Sequence, residues 1–169
     1  MIQVLLVKSS LLYGCKAILH LLLFALCEES NDLPFDETEY TRWLRQAQHS
    51  LESSKRDMET GDHDWSCFKA QQAAEFAVKG LLYGIGITAV GHSVSKLLGE
   101  LEANRITIDK ALLSAARVLD RHYIPARYPN AHIGGAPFEF YDENTSKEAT
   151  KEAVRIIEFV KGVAKRWVR

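Results

Sequence analysis

From Glu37 onward the apolar residues return every three or four positions, and no stretch alternates apolar with polar over the length of a strand. Segments patterned this way can each bury one face as a helix, but they offer no face for a sheet to bury. The chain is therefore expected to be all-α, an antiparallel up-and-down bundle of four to five helices. The last segment, SKEATKEAVRIIEFVKGVAKRWVR, shows the pattern most clearly, with Ala149, Ala153, Ile156, Val160, Val163 and Trp167 on one stripe. Thr145 or Ser146 is placed to cap it, and Glu148 stands where it can close a capping box with Thr145.

The same spacing divides the rest. A first helix is expected from Glu37 to Thr60, with Tyr40, Trp43, Leu44, Ala47, Leu51 and Met58 on its inner face and Gly61 as its stop. Asp62 or Asp64 can cap a second helix, which carries Trp65, Phe68, Ala73, Phe76, Ala77 and Leu81 and ends near Gly84 and Gly86. A short third helix spans about Ser93 to Ala103. A fourth begins near Thr107 or Asp109, with Leu112, Ala116, Leu119 and Tyr123 in phase, and Pro125 and Pro129 prevent its continuation. The pair Gly84 and Gly86 follows a helix and lacks a third glycine, so it is not a dinucleotide-binding loop.

Residues 1–36 differ in composition. The opening stretch is mostly apolar but is interrupted by Lys8, Lys16 and His20, and its uninterrupted runs are too short for a membrane span. No small-x-small cleavage site follows it, and a polar stretch with Pro34 marks a linker. This segment is taken as an extension of a bundle formed by residues 37–169. Acidic and basic residues nearly cancel, at a formal charge of -1, so the whole chain is not a magnet for nucleic acid and carries no DNA-groove signal. Cys15, Cys27 and Cys67 are scattered, with neither disulfide nor zinc spacing. A cytoplasmic protein without metal or other cofactor is expected, with Cys67 in the core.

Several residues could carry chemistry. Ala70, Ala73, Ala74 and Ala77 give the second helix a small-residue surface that admits a close neighbour. Gln71, Glu75 and Lys79 follow one another at four-residue steps, either as a salt-bridged ridge or as a polar row reaching into a ligand cleft where Lys79 would meet a phosphate. His92 precedes Ser93, a plausible cap; it could make a loop-to-helix hydrogen bond or join that helix start in binding an anion. Lys161, Lys165, Arg166 and Arg169 complement the end of the last helix and form a solvated basic terminus.

The segment RYPNAH holds the sharpest candidates, Arg127 and His132. Cleaving RNA without a metal requires a base for the 2′-hydroxyl proton and a fixed cation for charge on the phosphorus oxygens, and histidine and arginine suit those tasks. On a regular helix the two would point about 140° apart, so convergence on one phosphate needs a broken backbone. Pro129 and the Gly134-Gly135 pair supply the break. The plainer alternative pairs Arg127 with Asp120 or Glu139, packs Tyr128 and leaves His132 facing water.

Taken in order, WLRQAQHSLESSK, DWSCFKAQQAAEFAVKGLLYGIG, GHSVSKLL, LDRHYIPARYPNA and APFEFYDENTSKEATKEAV resemble a HEPN domain from about Tyr40 to Val163. The resemblance implies a helical bundle, commonly a homodimer, often partnered in bacteria and archaea by a minimal nucleotidyltransferase in a toxin-antitoxin pair. It also implies binding of a nucleotide or RNA phosphate, with Arg127, Lys79 and His92 as candidate contacts. Many members are metal-independent ribonucleases with an arginine, four to six residues and a histidine, and Arg127 and His132 meet that spacing. In nuclease members a small polar residue usually follows the arginine, whereas Tyr128 and Pro129 follow it here, as in a branch with Arg-Tyr-Pro and then Asp or Asn. The tyrosine that some regulated toxins carry two places after the histidine is Gly134 here.

Overall fold

Gly61 takes a left-handed φ of 89° and returns its N–H to the carbonyls of Asp57 and Met58, which ends one helix and turns the chain back within two residues. The computed structural model describes residues 34–168. Helix α1 spans Glu37–Thr60, α2 His63–Gly84, α3 Val94–Ala103, α4 Lys110–Asp120 and α5 Glu143–Ala164. Two short 3₁₀ turns, Pro129–Ala131 and Pro137–Glu139, lie between α4 and α5, and no strand occurs among the described residues. The expected all-helical bundle is the fold observed.

Local chemistry sets most of the starts. The carboxylate of Asp36 accepts the Glu39 N–H, Ser93 accepts that of Lys96, and Asp109 accepts that of Leu112. At α5 the cap is Asp142 rather than the expected Thr145 or Ser146. Its carboxylate takes both the backbone N–H and the hydroxyl of Thr145, at 2.8 and 2.6 Å, and that charged acceptor moves the helix start upstream. Those two hydrogen bonds hold the Asp142 carboxyl below its usual range. The helix also closes earlier than the stripe suggests. Trp167 lies beyond Ala164 and stacks on Phe35 at 5.3 Å instead of extending the buried face.

Helix α2 is the centre of the bundle, packed against α1, α3, α4 and α5. Ala70, Ala73, Ala74 and Ala77 are fully buried, so the small-residue surface does admit its neighbours closely. Gly80 continues it: a Cβ there would stand 2.8 Å from the Trp43 Cβ, so glycine is what lets α1 and α2 approach at that level. Cys67 is buried in this core, where burial, then Asp64, Asp142 and Glu148, push its thiol up to about 12. Trp65, at the first turn of α2, is half-exposed.

The apolar segment that the sequence sets apart, including Cys15 and Cys27, lies outside the described residues up to Leu33. Among the described residues no helix is long and apolar enough to cross a membrane.

Candidate functional site: an arginine on three aromatic rings

Helix α4 stops at Asp120, before the in-phase Tyr123, and the chain winds on through turns until Pro129, which has no N–H to extend them. Tyr128, the residue before that proline, is extended at φ −119° and ψ 117°, and the chain then enters the first 3₁₀ turn. This break directs Arg127 back across its own turn. Its Nε donates to the Tyr123 carbonyl at 2.8 Å. Its guanidinium carbon lies 4.4 Å from the Phe68 ring centroid, 4.4 Å from that of Tyr123 and 4.9 Å from that of Tyr128.

Neither acid considered as a partner for Arg127 takes that role. Glu139 folds onto the Ala136 N–H at 2.6 Å. Asp120 seals the start of α3, accepting from the Ser93 hydroxyl at 2.7 Å, the Val94 N–H at 2.6 Å, the Ser95 N–H at 3.2 Å and the Ser95 hydroxyl at 2.6 Å. A buried-facing carboxylate beats an external anion for these donors because it is tethered and loses little entropy on binding. The α3 start is therefore occupied by the protein's own charge, and His92 makes a loop-to-helix hydrogen bond to Glu75 at 3.1 Å. Arg127 pairs with no carboxylate among the described residues, while its Nε is satisfied. Its Nη groups remain the donors suited to a phosphate.

The polar row on α2 is salt-bridged, as the four-residue steps suggest, but it is buried and does not line an open cleft. Gln71 and Glu75 are fully buried, and Lys79 nearly so. One carboxylate oxygen of Glu75 receives the Lys79 ammonium at 2.8 Å and His92 Nδ1 at 3.1 Å. The other receives the side-chain amides of Gln71 and Gln72, each at 3.2 Å. Gln71 also donates to the His92 carbonyl at 2.7 Å, so the row fastens α2 to the loop before α3. Lys79, a candidate phosphate contact from its spacing, is turned inward onto Glu75. His92 keeps more than half of its side chain exposed and stacks on Tyr123 with ring centroids 4.7 Å apart. Tyr123 thus touches both His92 and Arg127.

His132 does not simply face water. Its ring stacks on Phe140 at 4.3 Å and 8°, and Nε2 is 2.8 Å from the Pro125 carbonyl. A carbonyl only accepts, so Nε2 carries the proton and Nδ1 the lone pair in the neutral ring. Arg127 and His132 leave one irregular loop but are held by different partners, the arginine by Phe68, Tyr123 and Tyr128, the histidine by Phe140 and Pro125.

Phe68, Tyr123 and Tyr128 have no signal in helical spacing that marks them as an arginine seat, because Phe68 comes from a helix far away in sequence. The adjacency of Arg127 and Tyr128 and the four-residue step from Tyr123 to Arg127 are visible in the sequence, but the contribution of Phe68 is not.

The model of the HEPN domain matches residues 40–163, well over half of the chain. The chain belongs to the HEPN family. Its helical domain is similar to three solved structures. It shares 41% identity with TT1696 of Thermus thermophilus, at a TM-score of 0.71, over 73% of this chain and 97% of that one. It shares 39% with ST0689, an archaeal HEPN homologue, at a TM-score of 0.62 over 74% and 97%. With the HEPN domain protein TM0613 of Thermotoga maritima it shares 34%, at a TM-score of 0.61 over 74% and 98%. A curated relative from Methanocaldococcus jannaschii, named "Putative toxin MJ1304", is 28% identical over 131 residues, covering 73% of this chain and 86% of that protein.

Proposed function

We propose that this HEPN chain is a dimeric module that binds a nucleotide or RNA phosphate at Arg127 and acts with a minimal nucleotidyltransferase as one half of a toxin-antitoxin pair. The observation that carries the binding role is the state of Arg127. Three aromatic rings and one backbone carbonyl hold its guanidinium in place, and no described carboxylate neutralises it. A planar cation seated on aromatic faces loses little freedom when a phosphate arrives, and its remaining N–H groups match two phosphate oxygens. The toxin name of the Methanocaldococcus jannaschii relative supports the two-component role.

A second reading, metal-independent endonucleolytic cleavage of RNA, is favoured by the fixed ring of His132. Its Nδ1 lone pair is free to take a 2′-hydroxyl proton while Arg127 stabilises charge on the phosphorus oxygens, and a 2′,3′-cyclic phosphate would be the product. One set of assays separates the two. Purified protein is weighed by light scattering, titrated with nucleotide, and incubated with RNA in EDTA beside Arg127→Ala and His132→Ala. Binding lost only in Arg127→Ala, without cleavage, supports the module. Cleavage abolished by His132→Ala supports the enzyme, and wild-type protein that neither binds nor cleaves overturns both. Co-purification with a co-expressed nucleotidyltransferase tests the partnership.

A further inference from the structure

Resting on the reading of Arg127 as a phosphate seat, we infer that His92 recognises the ribose 2′-hydroxyl of the nucleotide whose phosphate Arg127 holds. The tautomer of His92 decides what it can bind. The Glu75 carboxylate already receives Lys79, Gln71 and Gln72, and it offers His92 Nδ1 only an acceptor oxygen at 3.1 Å. Nδ1 therefore donates, and Nε2 of the neutral ring is left as an acceptor. An acceptor does not suit a phosphate oxygen. It suits a hydroxyl, which donates.

Position supports the same assignment. The His92 ring and the Arg127 guanidinium both rest on Tyr123, at 4.7 and 4.4 Å from its centroid, so one ring anchors both an acceptor and a phosphate cation. In a ribonucleotide the 2′-hydroxyl sits on the carbon next to the one bearing the 3′-phosphate, so a single ligand offers both groups side by side. Glu75 is buried and receives three further donors, which holds the carboxylate that orients the His92 ring before any ligand arrives. Two side chains on one support can thereby separate RNA from DNA, since the 2′-hydroxyl is the group by which they differ.

The test compares adenosine 3′-phosphate with 2′-deoxyadenosine 3′-phosphate by calorimetric or NMR titration, using the full chain. The two probes carry the same phosphate and differ by one hydroxyl. A matched pair of six-nucleotide single strands, RNA and DNA, shows whether the preference extends from a free nucleotide to a strand. Wild-type protein is expected to favour the ribose ligand about five- to tenfold, the size of one well-placed hydrogen bond. His92→Phe keeps a flat ring for Tyr123 but has no nitrogen, and it is expected to bind both ligands with the affinity that wild type shows for the deoxy form. His92→Leu removes the same nitrogen with a different shape, and it carries the comparison if the phenylalanine variant does not fold. Arg127→Ala is expected to lose both ligands. Equal wild-type affinity for the two nucleotides, or an undiminished ribose preference in His92→Phe or His92→Leu, overturns the assignment while leaving the Arg127 reading in place. Failure of wild type to bind either nucleotide or either strand overturns both.

Discussion

Arg127 and Tyr123 are joined twice, through the Nε hydrogen bond to the Tyr123 carbonyl at 2.8 Å and through the guanidinium carbon 4.4 Å over the Tyr123 ring. The first contact fixes the direction of the side chain and the second its plane. Charge alone does not reproduce this pair, because an ammonium can neither stack nor offer a fork. Arg127→Lys is accordingly expected to weaken nucleotide binding about tenfold or more, and Tyr123→Leu by several fold, the latter through loss of about 1–2 kcal/mol of cation–π support. Titration calorimetry checks both, and a lysine variant that binds like wild type would remove the stacked fork from the explanation.

The Glu75 network makes a prediction about stability. With Glu75 buried and Lys79 nearly so, Glu75→Leu strands an ammonium against apolar surroundings, and a cost of about 3–5 kcal/mol is expected. Glu75→Gln retains an acceptor for His92 and is expected to cost less. An exposed i,i+4 pair would contribute only about 0.3–0.5 kcal/mol, so urea unfolding of Glu75→Leu distinguishes the buried network from a solvated ridge.

His122 is buried against Tyr141, with Nδ1 3.4 Å from the tyrosine hydroxyl. Burial, then the charge of Arg121, lower its pKa from 6.5 to about 4. The unfolded chain therefore takes up the proton first as pH falls. Stability from the neutral ring is complete above pH 6.5 and is lost progressively as pH is lowered toward 4, by as much as ~3 kcal/mol from this one group. Urea midpoints across that range should show the decline, and His122→Phe should flatten it; an unchanged slope would assign the acid sensitivity elsewhere.

Cys67 should be chemically silent in the native protein. Its side chain is fully buried and its thiol is pushed up to about 12, so almost no thiolate exists at pH 8. Iodoacetamide at that pH is expected to leave Cys67 unmodified in native protein and to label it in urea, as read by peptide mass mapping. Native labelling would show that the core opens at α2 far more readily than its packing implies.

Helical spacing, the Gly61 stop, the Ser93 and Asp109 caps and the alanine surface of α2 are all legible in the sequence, because each depends on residues within one or two turns of one another. The family resemblance rests on the order of those same segments. At α5 the local pattern points to the wrong cap, since the Asp142 carboxylate, three residues upstream, accepts the Thr145 N–H and starts the helix before Thr145 can cap it.

Periodicity puts Gln71, Glu75 and Lys79 on one face of α2, but a spacing of four says nothing about what that face meets. Only the packing of the loop before α3 against α2 decides that the row is buried and that Lys79 is spent on Glu75. Arg127 shows the same division. Proline chemistry announces the bend that carries it, whereas its seat is decided by Phe68 from α2 and by Asp120, drawn away to the start of α3. Local sequence determines where helices begin, end and turn because those energies are short-ranged. Which charges end up paired is decided by contacts between elements far apart in the chain, and those exist only once the bundle has closed.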